Sequence, residues 1–171
     1  MINLLKEKFR MESSREHFIC GDNDIIAPAD GELFPLEDVK DEVFAKKMLG
    51  DGVAFRFKGK KTILCSPCNG ILSVLYPTGH MYGITMKSGV EILVHIGIDT
   101  VEAKGKGFKI LGKKPDEKIY GGDPIVCCNF DELSEDYDMS TMVLITNPNG
   151  KKFSFVKPGF YKKGSLLIQS S

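Results

Sequence analysis

The chain has 171 residues with 42% hydrophobic content, which suits one domain with an ordinary core and argues against a two-domain enzyme. Lys and Arg together number 23, as do Asp and Glu, so no net charge is present to drive the sequence-independent attraction on which nucleic-acid binding rests. The longest nearly apolar stretch, Val90 to Ile98, contains Glu91 and His95 and falls far short of the ~20 residues that span a bilayer. Lys6 breaks the apolar start Met1 to Leu5 before a signal-peptide region can form, so the expected location is the cytoplasm.

In chain order, residues 1–18 come first. Ile2, Leu5 and Phe9 recur at helical spacing with Lys6, Lys8, Arg10 and Glu12 at other angles, which predicts a short amphipathic helix followed by a polar connector to about Asp24. From Ile25 onward, short apolar runs alternate with Gly, Pro, Asn and Asp. This pattern predicts strands near 31–35, 53–58, 62–66, 70–76, 81–87, 90–96, 108–111, 124–130, 141–146, 153–157 and 165–169. Helical turns are expected at Asp41 to Leu49, with Val43, Phe44 and Met48 on one face, and at Asp131 to Tyr137. The expected fold is all-β: an antiparallel sandwich or flattened barrel over residues 25–171, with 1–24 as leader and connector. Ala27-Pro28-Ala29-Asp30-Gly31-Glu32-Leu33 is echoed by Ser66-Pro67-Cys68-Asn69-Gly70-Ile71-Leu72, and two ordinary turns or one duplicated motif both account for it.

The five cysteines, Cys20, Cys65, Cys68, Cys127 and Cys128, form an odd set without an export signal, which favours reduced, buried thiols over a disulfide framework. Cys65-Ser66-Pro67-Cys68 lacks a second well-spaced pair, and Cys127 and Cys128 face opposite sides of a strand, so neither a metal nor a cofactor is expected.

His17 reads as a solvated connector residue. His80 and His95 fall in the densest strand region, on either side of a predicted hairpin centred near Ser88, where paired positions sum to about 176. Position 80 then pairs with 95 or 96, and cross-strand Cβ atoms about 4.5–5.5 Å apart let both imidazoles address one transferring group. Gly97 allows a backbone turn whose carbonyl can hold the His95 Nδ1–H, leaving Nε2 as the nucleophile a phosphoryl acceptor needs. Thr78 can orient the second ring through its hydroxyl. Asp99 is either a turn-capping residue or a carboxylate acting on the site. Val43, Phe44, Tyr76, Tyr82 and Leu93 are either core residues or an apolar ring around the pair.

Ile25-Ile26-Ala27-Pro28, Val43 to Ala54, Thr78-Gly79-His80, Gly89 to Val101 and Val143-Leu144-Ile145-Thr146-Asn147 resemble the glucose-family enzyme IIA of the bacterial sugar phosphotransferase system. A Thr-x-His followed fifteen residues later by the His of V-H-I-G-I-D-T is a specific combination. The resemblance spans about residues 25–170 and implies an antiparallel β-sandwich with a shallow active site. It implies that His95 accepts a phosphoryl group on Nε2 from the phosphocarrier HPr and hands it to a cysteine in the IIB domain of a sugar permease. In that scheme His80 steadies the group, Thr78 orients His80, the Gly97 carbonyl holds the His95 tautomer and Asp99 lies beside the site.

No cofactor is expected, and the leader resembles that of stand-alone members, which implies a free protein rather than a permease fragment. A second, compatible reading is a regulatory module whose apolar patch docks onto other proteins, metabolic ones among them, with phosphorylation switching docking through added charge. Cys68-Asn69 departs from the family's usual spelling of the second turn, and Gly79-His80-Met81-Tyr82-Gly83 from that around the second histidine. Basic residues along 1–18 suggest weak peripheral contact with anionic membrane. A zinc hydrolase is disfavoured by the lack of an H-x-H, and a lipoyl or biotin carrier by the lack of a Met after Lys87.

Overall fold

The computed structural model describes residues 2–6 and 19–170. Residues 2–6 are helical and exposed; the remainder of the predicted leader helix, including Phe9, lies outside the described residues. Fourteen strands form among the described residues: β1 (Asp24–Ile26), β2 (Gly31–Pro35), β3 (Asp51–Arg56), β4 (Thr62–Cys65), β5 (Gly70–Leu75), β6 (Met81–Thr85), β7 (Glu91–Ile96), β8 (Phe108–Ile110), β9 (Lys118–Ile119), β10 (Pro124–Cys128), β11 (Thr141–Asn147), β12 (Phe153–Phe155), β13 (Gly159–Tyr161) and β14 (Leu166–Ser170). All eleven expected strands are present within a few residues of their predicted bounds. β1, β9 and β13 are further strands of two or three residues that the sequence pattern does not mark.

Every pairing is antiparallel. The large sheet runs β13-β2-β3-β11-β7-β6-β5-β9, and two three-stranded sheets run β1-β14-β12 and β4-β10-β8, giving the β-sandwich the sequence predicted. Alternation along the central strands sorts side chains between two cores. Val53, Phe55, Ile92, Val94, Ile96, Val143 and Ile145 enter the main core, while Ala54, Met142 and Leu144 join Phe34, Leu36, Val39 and Phe44 in a second cluster on the other face. β11 is therefore buried on both faces over Thr141 to Ile145, which accounts for its unbroken apolar run.

The second cluster is covered by a 3-10 turn, Leu36–Asp38, and a short helix, Glu42–Ala45. Asp41 starts that helix by accepting backbone N–H bonds from Val43 and Phe44 at 2.9 and 3.4 Å. The helix is shorter than predicted. Only Phe44 of the expected face is buried; Val43 and Met48 are 39% and 69% exposed, because the chain leaves the helix after one turn and Lys47 turns into a left-handed conformation (φ 56°). The second helical turn, Phe130–Leu133, is capped by Asn129, whose side chain accepts from the Glu132 N–H.

The internal echo is a true structural repeat. Ile26 N–H donates to the Pro67 carbonyl at 2.7 Å and Cys65 N–H to the Pro28 carbonyl at 2.9 Å, so the two turns clasp each other reciprocally. Ala27 exchanges backbone bonds with Ser165 and Gly164 as Ser66 does with Asp123 and Gly122. Asp30 Oδ1 accepts from Lys163 N–H at 2.7 Å, and Asn69 Oδ1 accepts from Gly121 N–H at 2.8 Å. Asn69 therefore keeps the acceptor that Asp30 supplies, and its amide nitrogen donates to the Cys20 carbonyl at 2.8 Å and to Asp22 Oδ1 at 3.5 Å.

Candidate active site

Hydrogen-bond register carries one row across five strands: Phe34, Ala54, Met142, His95 and Met81 lie opposite one another in β2, β3, β11, β7 and β6. His95 therefore ends up on the second-cluster face, beside the helix that covers that cluster. The β6–β7 hairpin turns about Ser88, with Met86 N–H donating to the Val90 carbonyl and Met81 opposite His95, so paired positions sum to 176 as the sequence implied. His80 immediately precedes β6, and its carbonyl accepts from Ile96 N–H at 2.8 Å. The two imidazoles meet edge to face, with ring centroids 5.4 Å apart and planes 80° apart.

Each ring is held through Nδ1 by a group two residues away. His95 Nδ1 lies 2.8 Å from the Gly97 carbonyl oxygen. A carbonyl can only accept, so Nδ1 carries the proton and the neutral ring keeps its lone pair on Nε2. Gly97 adopts φ 77°, and a Cβ there would stand 2.5 Å from Thr100 Cγ2 and 2.9 Å from Met139 Sδ, so only glycine fits this turn. Thr78 Oγ1 lies 2.6 Å from His80 Nδ1. A hydroxyl donated here leaves the imidazole proton on Nε2, which makes Nε2 of His80 a donor where Nε2 of His95 is an acceptor.

Both rings titrate below the ordinary histidine range. Burial pushes His80 down to about 4, with the neighbouring His95 adding to the effect. Burial also lowers His95, against the opposing pull of the Gly97 carbonyl, Asp41 and Asp99. Asp99 starts the 3-10 turn Thr100–Ala103 with φ 58°, and its side chain makes no capping bond to that turn. Its carboxylate acts electrostatically on His95, favouring the charged ring. Sequence reasoning missed Asp41, the other carboxylate acting on His95. An Asp directly before Glu42-Val43-Phe44 signals a helix start, but nothing local shows that this start faces a histidine.

Of the apolar candidates, Phe44 packs on His95 at a centroid distance of 5.0 Å and Tyr76 packs edge-on to His80 at 4.8 Å. Tyr82 is core, fully buried with its hydroxyl donating to the Cys65 carbonyl at 2.7 Å. Leu93 packs against the second cluster with Ile98, and Val43 stays at the surface. The thiols lie apart from this chemistry. Burial pushes Cys65 and Cys20 up to about 11 and raises Cys68 and Cys128 well above the usual range, which removes thiolate reactivity. Grooves of about 410 and 400 Å³ open at Lys47–Phe155 and at Arg56–Ser140, and neither is lined by a histidine. The paired rings thus lie outside both grooves.

Comparison with known proteins identifies the family. The family model described as phosphoenolpyruvate-dependent sugar phosphotransferase system, EIIA 1, matches residues 23–150. The PTS system glucose-specific EIIA component of Mycoplasma capricolum is 38% identical over 144 residues, covering 84% of this chain and 92% of that protein. The glucose-specific EIICBA component of Staphylococcus carnosus is 34% identical over 150 residues, covering 87% of this chain, which spans 22% of that longer protein. The solved structure of glucose permease IIA from Mycoplasma capricolum superposes with a TM-score of 0.79 at 37% identity, covering 85% of this chain and 93% of that one. With its sandwich fold, the chain belongs to the EIIA family of phosphocarriers of the phosphoenolpyruvate-dependent sugar phosphotransferase system.

Proposed function

We propose that this protein takes a phosphoryl group from the phosphohistidine of HPr onto Nε2 of His95 and passes it to a cysteine in the IIB domain of a sugar permease of glucose type. The observation that carries the reading is the 2.8 Å contact from His95 Nδ1 to the Gly97 carbonyl, which leaves Nε2 with a free lone pair beside a second, differently held histidine. In the transfer the donor's P–N bond breaks, its electron pair stays on the donor nitrogen, and a new P–N bond forms to Nε2. The Nδ1 proton stays in place, and the Gly97 carbonyl stabilises the positive charge that grows on the ring.

His80 Nε2–H, oriented by Thr78, donates to a phosphoryl oxygen and steadies it in both half-reactions. Asp41 and Asp99 favour the developing imidazolium while repelling the phosphoryl anion, so the group is held without being trapped. Phe44 and Tyr76 exclude water that would hydrolyse it.

Incubation with phosphoenolpyruvate, enzyme I and HPr, followed by intact-mass measurement, tests the proposal. One acid-labile phosphoryl group per chain, absent in His95→Gln, is the expected result. Normal labelling of His95→Gln would overturn the assignment.

A further inference from the structure

We propose that Tyr76 is a positioning residue that holds His80 against His95 and shields the His80 imidazole from water. Its backbone closes the turn that presents His80: Tyr76 N–H donates to the Met81 carbonyl at 3.0 Å and Gly79 N–H donates to the Tyr76 carbonyl at 2.8 Å. Its ring then meets the His80 imidazole edge-on at 4.8 Å and 71°. Of the other surroundings, Thr78 holds Nδ1, His95 stands at 5.4 Å, and a Cβ at Gly79 would stand 3.2 Å from Phe108 and 3.6 and 3.7 Å from Ile110 and Val126. His80 is left 4% exposed while Tyr76 remains 40% exposed, so the phenol ring lies between the imidazole and bulk water.

The titratable group acting on His80 is His95, which in turn faces Asp41 from the Glu42–Ala45 helix and Asp99 from the Thr100–Ala103 turn. Lys104 and Lys106 flank Gly105, where a Cβ would stand 3.8 Å from the Thr78 backbone. Dehydration by Tyr76 opposes charging of His80, and a neutral His80 spares His95 a positive neighbour.

The significance for phosphoryl transfer rests on the function proposed above, but the shielding does not. In an NMR titration of the imidazole nitrogens, Tyr76→Ala should raise the His80 midpoint by about one pH unit or more toward the ordinary histidine value. Tyr76→Phe should titrate like the parent, because the ring and not the hydroxyl does the shielding. Tyr76→Ser provides a second small replacement should the alanine variant fail to fold. An unchanged midpoint in a folded Ala or Ser variant, or a Phe variant that shifts as far, would overturn the proposal. A shifted midpoint with no phosphoryl acceptance by the parent protein would uphold the shield and overturn the phosphocarrier reading alone.

Discussion

His80 and His95 share a neighbourhood but take opposite hydrogen-bonding roles, so substitutions at them should separate. His80→Gln leaves the attacking nitrogen of His95 intact and should still accept phosphate. Onward transfer should slow by ~10²–10³, the scale of one lost transition-state donor, as measured by single-turnover transfer to a IIB domain. Gly97→Ala forces a side chain into a left-handed turn against Thr100 and should cost about 1–3 kcal/mol in chemical denaturation. It should also slow acceptance, because the carbonyl that fixes the His95 tautomer moves.

Acid sensitivity follows from the same burial. The folded His80 titrates near 4 and the unfolded residue near 6.5, so between these values the unfolded chain binds the additional proton. The stability tied to the neutral ring is present above about pH 6.5 and is lost as pH falls toward 4. The stability gap between the parent and His80→Gln should therefore shrink across that window, by up to about 3 kcal/mol, in urea unfolding at stepped pH. A gap that stays constant would show that His80 is not the titrating group.

Short elements carry the site, and their ends matter more than their lengths. The Glu42–Ala45 helix has a single turn, too short to persist by propensity alone, so the Asp41 cap and the burial of Phe44 hold it. Asp41→Ala should lower stability by about 1 kcal/mol in thermal denaturation. It should also lower the His95 midpoint, since one of the carboxylates favouring the charged ring is gone. The repeat makes a parallel case. Asn69→Ala strands the Gly121 N–H and should cost about 1–3 kcal/mol, whereas Asn69→Asp retains the acceptor used at Asp30 and should cost less. Equal losses in the two variants would mean that the bond to the Cys20 carbonyl, and not the repeat geometry, is what Asn69 contributes.

At the scale of the whole molecule, His95 lies in β7 and His80 directly before β6, whereas the described N-terminal residues 2–6 are exposed. Ile2, Leu4 and Leu5 are 73%, 73% and 62% exposed on the helical residues 2–6. No helix among the described residues is long and apolar enough to cross a membrane. We propose that residues 1–18 lie weakly on anionic lipid: burying Ile2, Leu5 and Phe9 contributes ~1.5–3 kcal/mol each, much of it offset by ordering. Deleting 1–18 should leave acceptance from soluble HPr unchanged and reduce co-sedimentation with anionic vesicles. Equal pelleting of both forms would refute the membrane role without touching the phosphocarrier reading.

The sequence by itself determined what depends on near neighbours. Alternation located the longer strands, Gly89 and the apolar runs beside it set a hairpin about Ser88, and that hairpin brings His80 to His95 across only fifteen residues. Thr78 and Gly97 were legible for the same reason, since each acts on a histidine two positions away. Tertiary structure alone decided the rest. Phe44 and Asp41 reach His95 only because β2, β3, β11 and β7 align in one register, and no local pattern records which strands become neighbours. The same holds for Val43, Tyr76 and Tyr82: all three are apolar or aromatic to a sequence reader, yet one stays at the surface, one shields a histidine and one fills the core. Burial depends on what the far chain brings to each face, and that is settled when the sheets close on one another.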